Sequence, residues 1–278
     1  MVAPYLSRLI ALPFVLLVVY YFAYGQFQSE YLDEIILIPS MIILVLLYVF
    51  NEQINKWWWT VRPLTLEPRV KSWIETYSPF YTALDADEKP KAESQISKLM
   101  LTKEYTLKGK KDFQLEEDMK AMIAHEMYRL TYGYDSSYSY PSCEHVVMYN
   151  HPFATPDYQF LHSFEFNRED GVLILARDAA VNGYNAGLDH FNIVLFGVIT
   201  VFVHENPRLS YPSTVGLSSE MICEQLDISH DSIKGHLGDM AISSLALLIY
   251  CSVEYPDKMK TSYQEEYETI RELFKLYK

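Results

Sequence analysis

Two charge-free apolar runs open the chain, Leu9–Tyr24 (LIALPFVLLVVYYFAY) and Ile35–Phe50 (IILIPSMIILVLLYVF). Each falls slightly short of the ~20 residues that span a bilayer, and flanking Tyr, Leu and Trp residues extend both. The pattern predicts a transmembrane hairpin over residues 1–61, with helices at about 9–25 and 33–50. A cleaved signal peptide is the rival reading of the first run, and a buried soluble hairpin the rival for the pair. Arg8 precedes the first run, Lys56 and Arg62 follow the second, and the link QFQSEYLDE carries only acidic charge. By the positive-inside rule both termini then face the cytoplasm, at an inner or plasma membrane, and Trp57, Trp58 and Trp59 sit where an interfacial aromatic belt belongs.

Beyond a Pro-containing connector (62–77) the pattern changes to that of a folded domain over 78–278. A short helix is expected at Val70–Tyr77, stopped by Ser78-Pro79. Another follows at Ala86–Leu101, with Asp85 or Asp87 as cap and Ile96, Leu99 and Met100 on one side. Glu116–Tyr132 is the clearest soluble helix. Its acidic start complements the helix dipole, Met119, Met122, Ile123, Met127 and Leu130 recur at helical spacing, and Gly133 ends it. His145–Tyr149 (HVVMY) and Gly171–Ala176 (GVLILA) read as strands. Leu188–Val203 is ambiguous: its β-branched residues suit a strand, while its length favours a buried helix at the centre of the core.

Composition narrows the function. Half of the 278 residues are apolar, enough for one large domain plus an appendage, and the net charge of −13 argues against nucleic acid, which requires a concentrated positive face. Cys143, Cys223 and Cys251 are few and widely spaced, as expected of reduced thiols. Cys143-Glu144-His145 invites a catalytic or metal reading, but the signatures of a nucleophilic cysteine are absent and a semi-buried thiol at a strand start fits better.

Chemistry-bearing motifs are missing throughout. His125-Glu126 begins a zinc motif, yet Arg129 stands where the second histidine belongs, and a guanidinium cannot ligate a cation. His204-Glu205 fails in the same way at Arg208, with Pro207 against a helical interior. The chain has no His-x3-His pair, no Gly-Lys phosphate loop and no Gly-x-Ser-x-Gly elbow.

From about Ser78 onward the chain nevertheless resembles the Mlc titration factor family, the glucose-regulated zinc metallopeptidases. The likeness is carried by SPFYTALDADEK, FQLEEDMKAMIAHEMYRLTYG, VVMYNHPF, GVLILARDAAVNG and the ending YPDKMKTSYQEEYETIRELFKLY, about three quarters of the chain in extent. It implies an α+β, zincin-like domain behind the hairpin, relatives with a zinc-dependent peptidase site and, for the family's founding member, a regulatory partner, the repressor Mlc. FNIVLFGVIT then falls on the family's Asn-x-x-x-His-Glu-x-x-His helix. Asn192 keeps the leading asparagine, while the first ligand becomes Phe196, the general base Gly197 and the second ligand Thr200. Counting back from Pro256, the third ligand becomes Tyr250, with Asp239 or Glu254 as offset alternatives.

A catalytic zinc needs three protein ligands and an open position. A rebuilt site would have to draw on His162, His190, His204, Asp189 or Glu205, which nothing in the sequence places together. No metal or other cofactor is therefore expected, and Phe196 is expected to fill the vacated volume. Three functions remain open: a membrane-tethered pseudopeptidase binding a peptide or regulatory protein, an active metallopeptidase with unorthodox ligands, and a scaffold with a closed groove. For the first, Val172, Ile174 and Ala176 are the groove candidates, on a strand expected at a sheet edge where a peptide could add.

Overall fold

The structure is a computed structural model that describes residues 5–24, 30–108, 115–186 and 190–276. The chain divides into two compact units, Met1–Leu64 and Thr65–Lys278.

The first unit holds α1 (Leu6–Tyr24), α2 (Glu30–Val49) and α3 (Asn51–Val61). α1 packs along α2, as an apolar helical hairpin would. Its Leu6–Ala23 stretch has mean hydropathy 2.0 and is, among the described residues, the one helix that by itself is long and apolar enough to cross a membrane. The apolar Ile35–Val49 stretch of α2 meets that length only together with α3, from which it is bent by 69°. Of the two spans expected from the sequence, one is thus met by a single helix and the other only by a bent pair of helices, by length and composition. Part of the expected link, residues 25–29, lies outside the described residues, and Glu30 onward belongs to α2.

Outward faces of α1 and α2 are apolar, with Leu16 58%, Phe22 71% and Val45 60% exposed. Polar groups gather instead where α1 begins. Ser7 is buried; its backbone N–H donates to Asn55 Oδ1 at 3.2 Å, its hydroxyl donates to Asn51 Oδ1 at 2.5 Å, and Asn55 Nδ2 donates to Asn51 Oδ1 at 2.8 Å. These bonds fasten the start of α1 to α3, with the Tyr5 and Trp59 rings meeting edge-on.

The second unit is helix-rich with one small mixed sheet. It begins with α4 (Pro68–Tyr77), α5 (Pro79–Ala83) and α6 (Glu88–Thr102). α4 occupies most of the segment read as a connector, and its Val70 and Ile74 are buried in the core of this unit. Proline opens both α4 and α5, where a missing N–H costs nothing, and the Ser78 hydroxyl accepts from Tyr81 N–H to cap α5. Asp85 turns in the chain for α6, accepting from the N–H groups of Asp87 and Glu88 at 2.9 and 2.8 Å. β1 (Glu104–Lys108) precedes α7 (Glu117–Thr131), whose five predicted apolar positions are all buried.

β2 (His145–Tyr149), β3 (Phe164–Asn167) and β4 (Val172–Ala176) complete the sheet, in the order β1-β2-β4-β3. β1, β2 and β4 are parallel and β3 runs antiparallel to β4. This corrects the expectation for Val172, Ile174 and Ala176: their strand is interior, bonded on both sides, and cannot accept an added peptide strand. The error has a physical origin. GVLILA is a continuous apolar run, the pattern of a strand covered on both faces and flanked by neighbours, not of an edge. The true outer strands, EYTLK and FEFN, are short and carry charge.

α8 (Arg177–Asn185) leads to α9 (Ile193–Glu205), followed by α10 (Ser219–Gln225), α11 (His230–Leu237), α12 (Ser244–Glu254), α13 (Pro256–Ser262) and α14 (Gln264–Phe274). α9 lies against β3 and β4 on one side and α7, α8 and α12 on the others. Its Phe196, Val198, Ile199, Val201 and Phe202 are buried, as a run that is apolar on every face requires. All three cysteines are free and buried, and burial pushes the Cys143 thiol up to about 11, which fits a packing role.

Candidate functional site

α9 is where a metal-binding helix of the resembled family would stand, and its start is well specified. The Asn192 side-chain oxygen accepts from Val194 N–H and Leu195 N–H at 3.2 and 3.1 Å, satisfying two of the donors that a helix start leaves unpaired. Burial against the sheet and α12 then decides the ambiguous run in favour of helix. Replacing Asn192 by alanine is expected to cost about 1–2 kcal/mol, the range for losing such a cap, read as a lower denaturation midpoint with unchanged slope.

One turn in, Phe196 is 3% exposed. Its ring meets Phe164 of β3 edge-on at 5.6 Å, Phe191 at 5.3 Å, and Tyr250 of α12 edge-on at 6.4 Å. Phe191 and Tyr250 close the cluster at 4.8 Å. The structure thus brings together Phe196 and Tyr250, two positions far apart in sequence that the resemblance assigns to metal ligands. Tyr250 is buried, and its hydroxyl accepts from the Asn192 backbone N–H at 3.1 Å, so it ties α12 to the start of α9. Burial, reinforced by the nearby Glu254 carboxylate, raises its pKa well above the ordinary tyrosine value and keeps it protonated.

Gly197 faces the sheet. A Cβ built there would lie 3.1 Å from both Leu173 Cδ1 and Phe164 Cε2, so even alanine presses on β4 and β3. Thr200 donates its hydroxyl to the Phe196 carbonyl at 2.9 Å, a bond within the helix that leaves the side chain turned back on its own backbone. Phe, Gly and a backbone-bonded Thr offer a divalent cation nothing of the His/Glu/His chemistry it needs. The residues present do not fit zinc.

The other sequence candidates are engaged elsewhere. His162 bonds the Phe160 carbonyl and Glu165 Oε2 beside β3. His204 is exposed against Phe166. Glu205 clamps the loop after α7, accepting from Ser142 N–H and Tyr138 Oη, both at 2.6 Å. His190 is exposed, and Asp189 lies outside the described residues. Among the described residues no group of three His, Cys, Asp or Glu side chains is placed to hold a metal. Glu254, the offset alternative for the third ligand, is bound to Arg129 Nη1 at 2.7 Å. Asp239 lies on the surface side of the loop after α11, outside the Phe196 cluster.

Sequence reasoning dismissed His125 and Glu126 as an incomplete motif, and so missed a buried polar cluster. Both side chains are 1–2% exposed. His125 Nε2 lies 2.8 Å from Ser78 Oγ, and Arg129 Nη1 reaches both Glu126 and Glu254. The signal was present as an i, i+3 Glu-Arg pair in the part of the helix where Met122, Ile123, Met127 and Leu130 mark the buried face, a pattern that demands partners from other elements.

The second unit is a helix-rich α+β domain with an apolar helix laid across a small mixed sheet. The chain matches the family described as glucose-regulated metallo-peptidase M90 over residues 52–204, more than half its length, and it belongs to that family. The matched stretch starts within α3, earlier than the likeness noted from Ser78, and ends at His204, so α12 and Tyr250 lie beyond it. No curated protein matches the chain.

Proposed function

We propose that this protein is a membrane-anchored M90 family member that does not hydrolyse peptides through zinc and acts instead by binding a peptide or a regulatory protein. One observation carries the reading: aromatic rings of Phe196, Tyr250, Phe191 and Phe164 fill the space between α9, α12 and β3 where ligands and metal would stand. With no carboxylate at position 197, no side chain there could take a proton from an attacking water. Binding by strand addition needs no metal, and the outer strands β1 and β3 are the places for it. β1 is the more open, with Glu104, Thr106 and Lys108 exposed.

The anchor reading rests on α1 and on the bent pair of α2 and α3, with Trp57 and Trp58 in α3 beyond the apolar stretch as candidates for an interfacial belt. The flanking charges Arg8, Lys56 and Arg62 support termini on the cytoplasmic side. The test is elemental analysis of the purified full-length chain beside a peptidase assay with and without chelator. Sub-stoichiometric zinc and no chelator-sensitive cleavage are the expected results; a tightly held zinc whose removal abolishes cleavage refutes the reading.

A further inference from the structure

α3 presents three faces. Asn51, Asn55 and Trp59 form the first, fastened to the start of α1 by the bonds among Ser7, Asn51 and Asn55 and by the Tyr5–Trp59 ring contact. Ile54, Trp57, Trp58 and Val61 form the second, at the i, i+3, i+4, i+7 spacing that lines up residues along one side of a helix. Trp57 and Val61 are 59% and 56% exposed on it. Glu52, Lys56 and Thr60 form the third; all are exposed, and Lys56 pairs with Glu52 one turn back. An apolar stripe turned outward beside a charged one is the pattern of a helix that lies in a membrane surface.

Two observations decide against α3 as the inner part of a span. Its axis turns 69° from the apolar stretch of α2. It also opens with Asn51, Glu52 and Gln53 and carries Lys56, and one charged side chain at mid-bilayer cancels the gain from about four leucines. Length does not require α3 either. The full 20 residues of α2, acidic start included, reach about 30 Å, the depth of the hydrocarbon.

The charges at this end indicate the lipid. Arg8, Lys56 and Arg62 are exposed, against Glu52 alone among the described residues of α3 and the first turn of α1. Arg8 lies over the Tyr5 ring at 4.4 Å and Arg62 over the Trp58 ring at 4.9 Å, joining cation to amphipathic ring as in a headgroup layer. Excess positive charge beside an apolar stripe attracts anionic headgroups.

We propose that α3 lies in the plane of the bilayer surface, with Ile54, Trp57, Trp58 and Val61 sunk to the boundary of headgroups and acyl chains and Arg8, Lys56 and Arg62 among anionic headgroups. The inference rests on the membrane-anchor reading and adds to it where the chain leaves the bilayer. The Ser7–Asn51–Asn55 bonds fix the rotation of the helix, because they hold the asparagine face against α1 and so keep the other two stripes from exchanging places.

The experiment puts a nitroxide on single introduced cysteines along positions 52–61 of the full-length chain. The protein sits in vesicles of phosphatidylcholine, alone or mixed with phosphatidylglycerol. Collisions with oxygen, which concentrates in lipid, are compared with collisions with a water-soluble nickel chelate. The native cysteines are buried, and the parent chain gives the labelling background. Leu16→Cys and Val45→Cys, on exposed apolar faces of α1 and α2, report on the anchor by itself. Oxygen is expected to dominate at both. Along α3 oxygen should peak at positions 54, 57, 58 and 61 and nickel at 52, 56 and 60, with a severalfold swing in their ratio each turn. Phosphatidylglycerol should deepen that swing, and Lys56→Gln with Arg62→Gln should remove the lipid dependence. Oxygen dominating at every α3 position makes it part of a span and overturns the proposal. Nickel dominating at every α3 position also overturns it, while lipid contact at positions 16 and 45 keeps the anchor. Nickel dominating at 16 and 45 refutes the anchor, and this inference with it. Identical patterns in the two vesicles overturn the assignment to anionic headgroups.

Discussion

Writing the family's motif back into α9, as Phe196→His, Gly197→Glu and Thr200→His together, is expected to give a protein that neither holds zinc stoichiometrically nor cleaves peptides, and that folds far less stably than its parent. Gly197 sets the outcome. A Cβ there would lie 3.1 Å from the Leu173 and Phe164 side chains, so a glutamate must push both aside before its carboxylate finds any partner. Overpacking of this kind costs about 1–3 kcal/mol, and an unpaired buried carboxylate adds several more or protonates. Phe196→His removes ring contacts with Phe164, Phe191 and Tyr250 together. The third position supplies no rescue, since Tyr250 is a protonated hydroxyl already accepting from the Asn192 N–H. Glu254, one turn further on, is held by Arg129. Denaturant titration and elemental analysis read the two halves of the result. A stable triple variant with chelator-sensitive cleavage would mean that some carboxylate reaches the site and that Tyr250 is not the third position.

The same contacts show which parts of the molecule could be read from sequence. Periodicity placed α7 and the strands HVVMY and VLILA because their apolar positions answer to one packing face or to a buried strand. The cap at Asp85 was legible because capping is local chemistry. β1 and β3 were not. EYTLK and FEFN carry too few apolar residues for a strand signal, and only pairing with β2 and β4 makes them strands. Misplacing the sheet edge followed directly, since which strand lies outermost depends on neighbours that local pattern does not encode.

At the site, the chemically empty positions were visible, but their meeting was not. Phe196 and Tyr250 lie on helices with two further helices between them in sequence, and their contact is a fact of packing. The Glu126–Arg129–Glu254 arrangement escaped for the same reason: its third member comes from 125 residues away. A motif judged by what it lacks as a metal site hid what its residues accomplish as a charge cluster.

That cluster yields the second large effect. Arg129→Met keeps the side chain's bulk and removes its charge, leaving Glu126 at 2% and Glu254 at 10% side-chain exposure without their shared cation. Stranding buried charge in this way costs about 3–5 kcal/mol near neutral pH. The dependence on pH follows from the two carboxyls. Burial pushes Glu126 up, but Arg129, His125 and Asn192 more than reverse it, holding its folded value below the ordinary 4.5. In the parent its contribution is therefore present above 4.5 and lost as pH falls through that depressed value. Glu254 behaves oppositely: burial outweighs Arg129 and raises it above 4.5, so its contribution is full below 4.5 and is lost as pH climbs through the raised value. Without Arg129 both carboxyls move upward, and the folded state then binds more protons than the unfolded chain everywhere between 4.5 and the new values. Stability of the variant must fall with rising pH across that window, where the parent still keeps the Glu126 contribution. The deficit between parent and variant is thus largest near pH 7.5 and shrinks toward pH 5, measured by denaturant titration at each pH. A deficit that stays constant with pH would show that the lost stability came from packing of the arginine stem and not from the charges it balances.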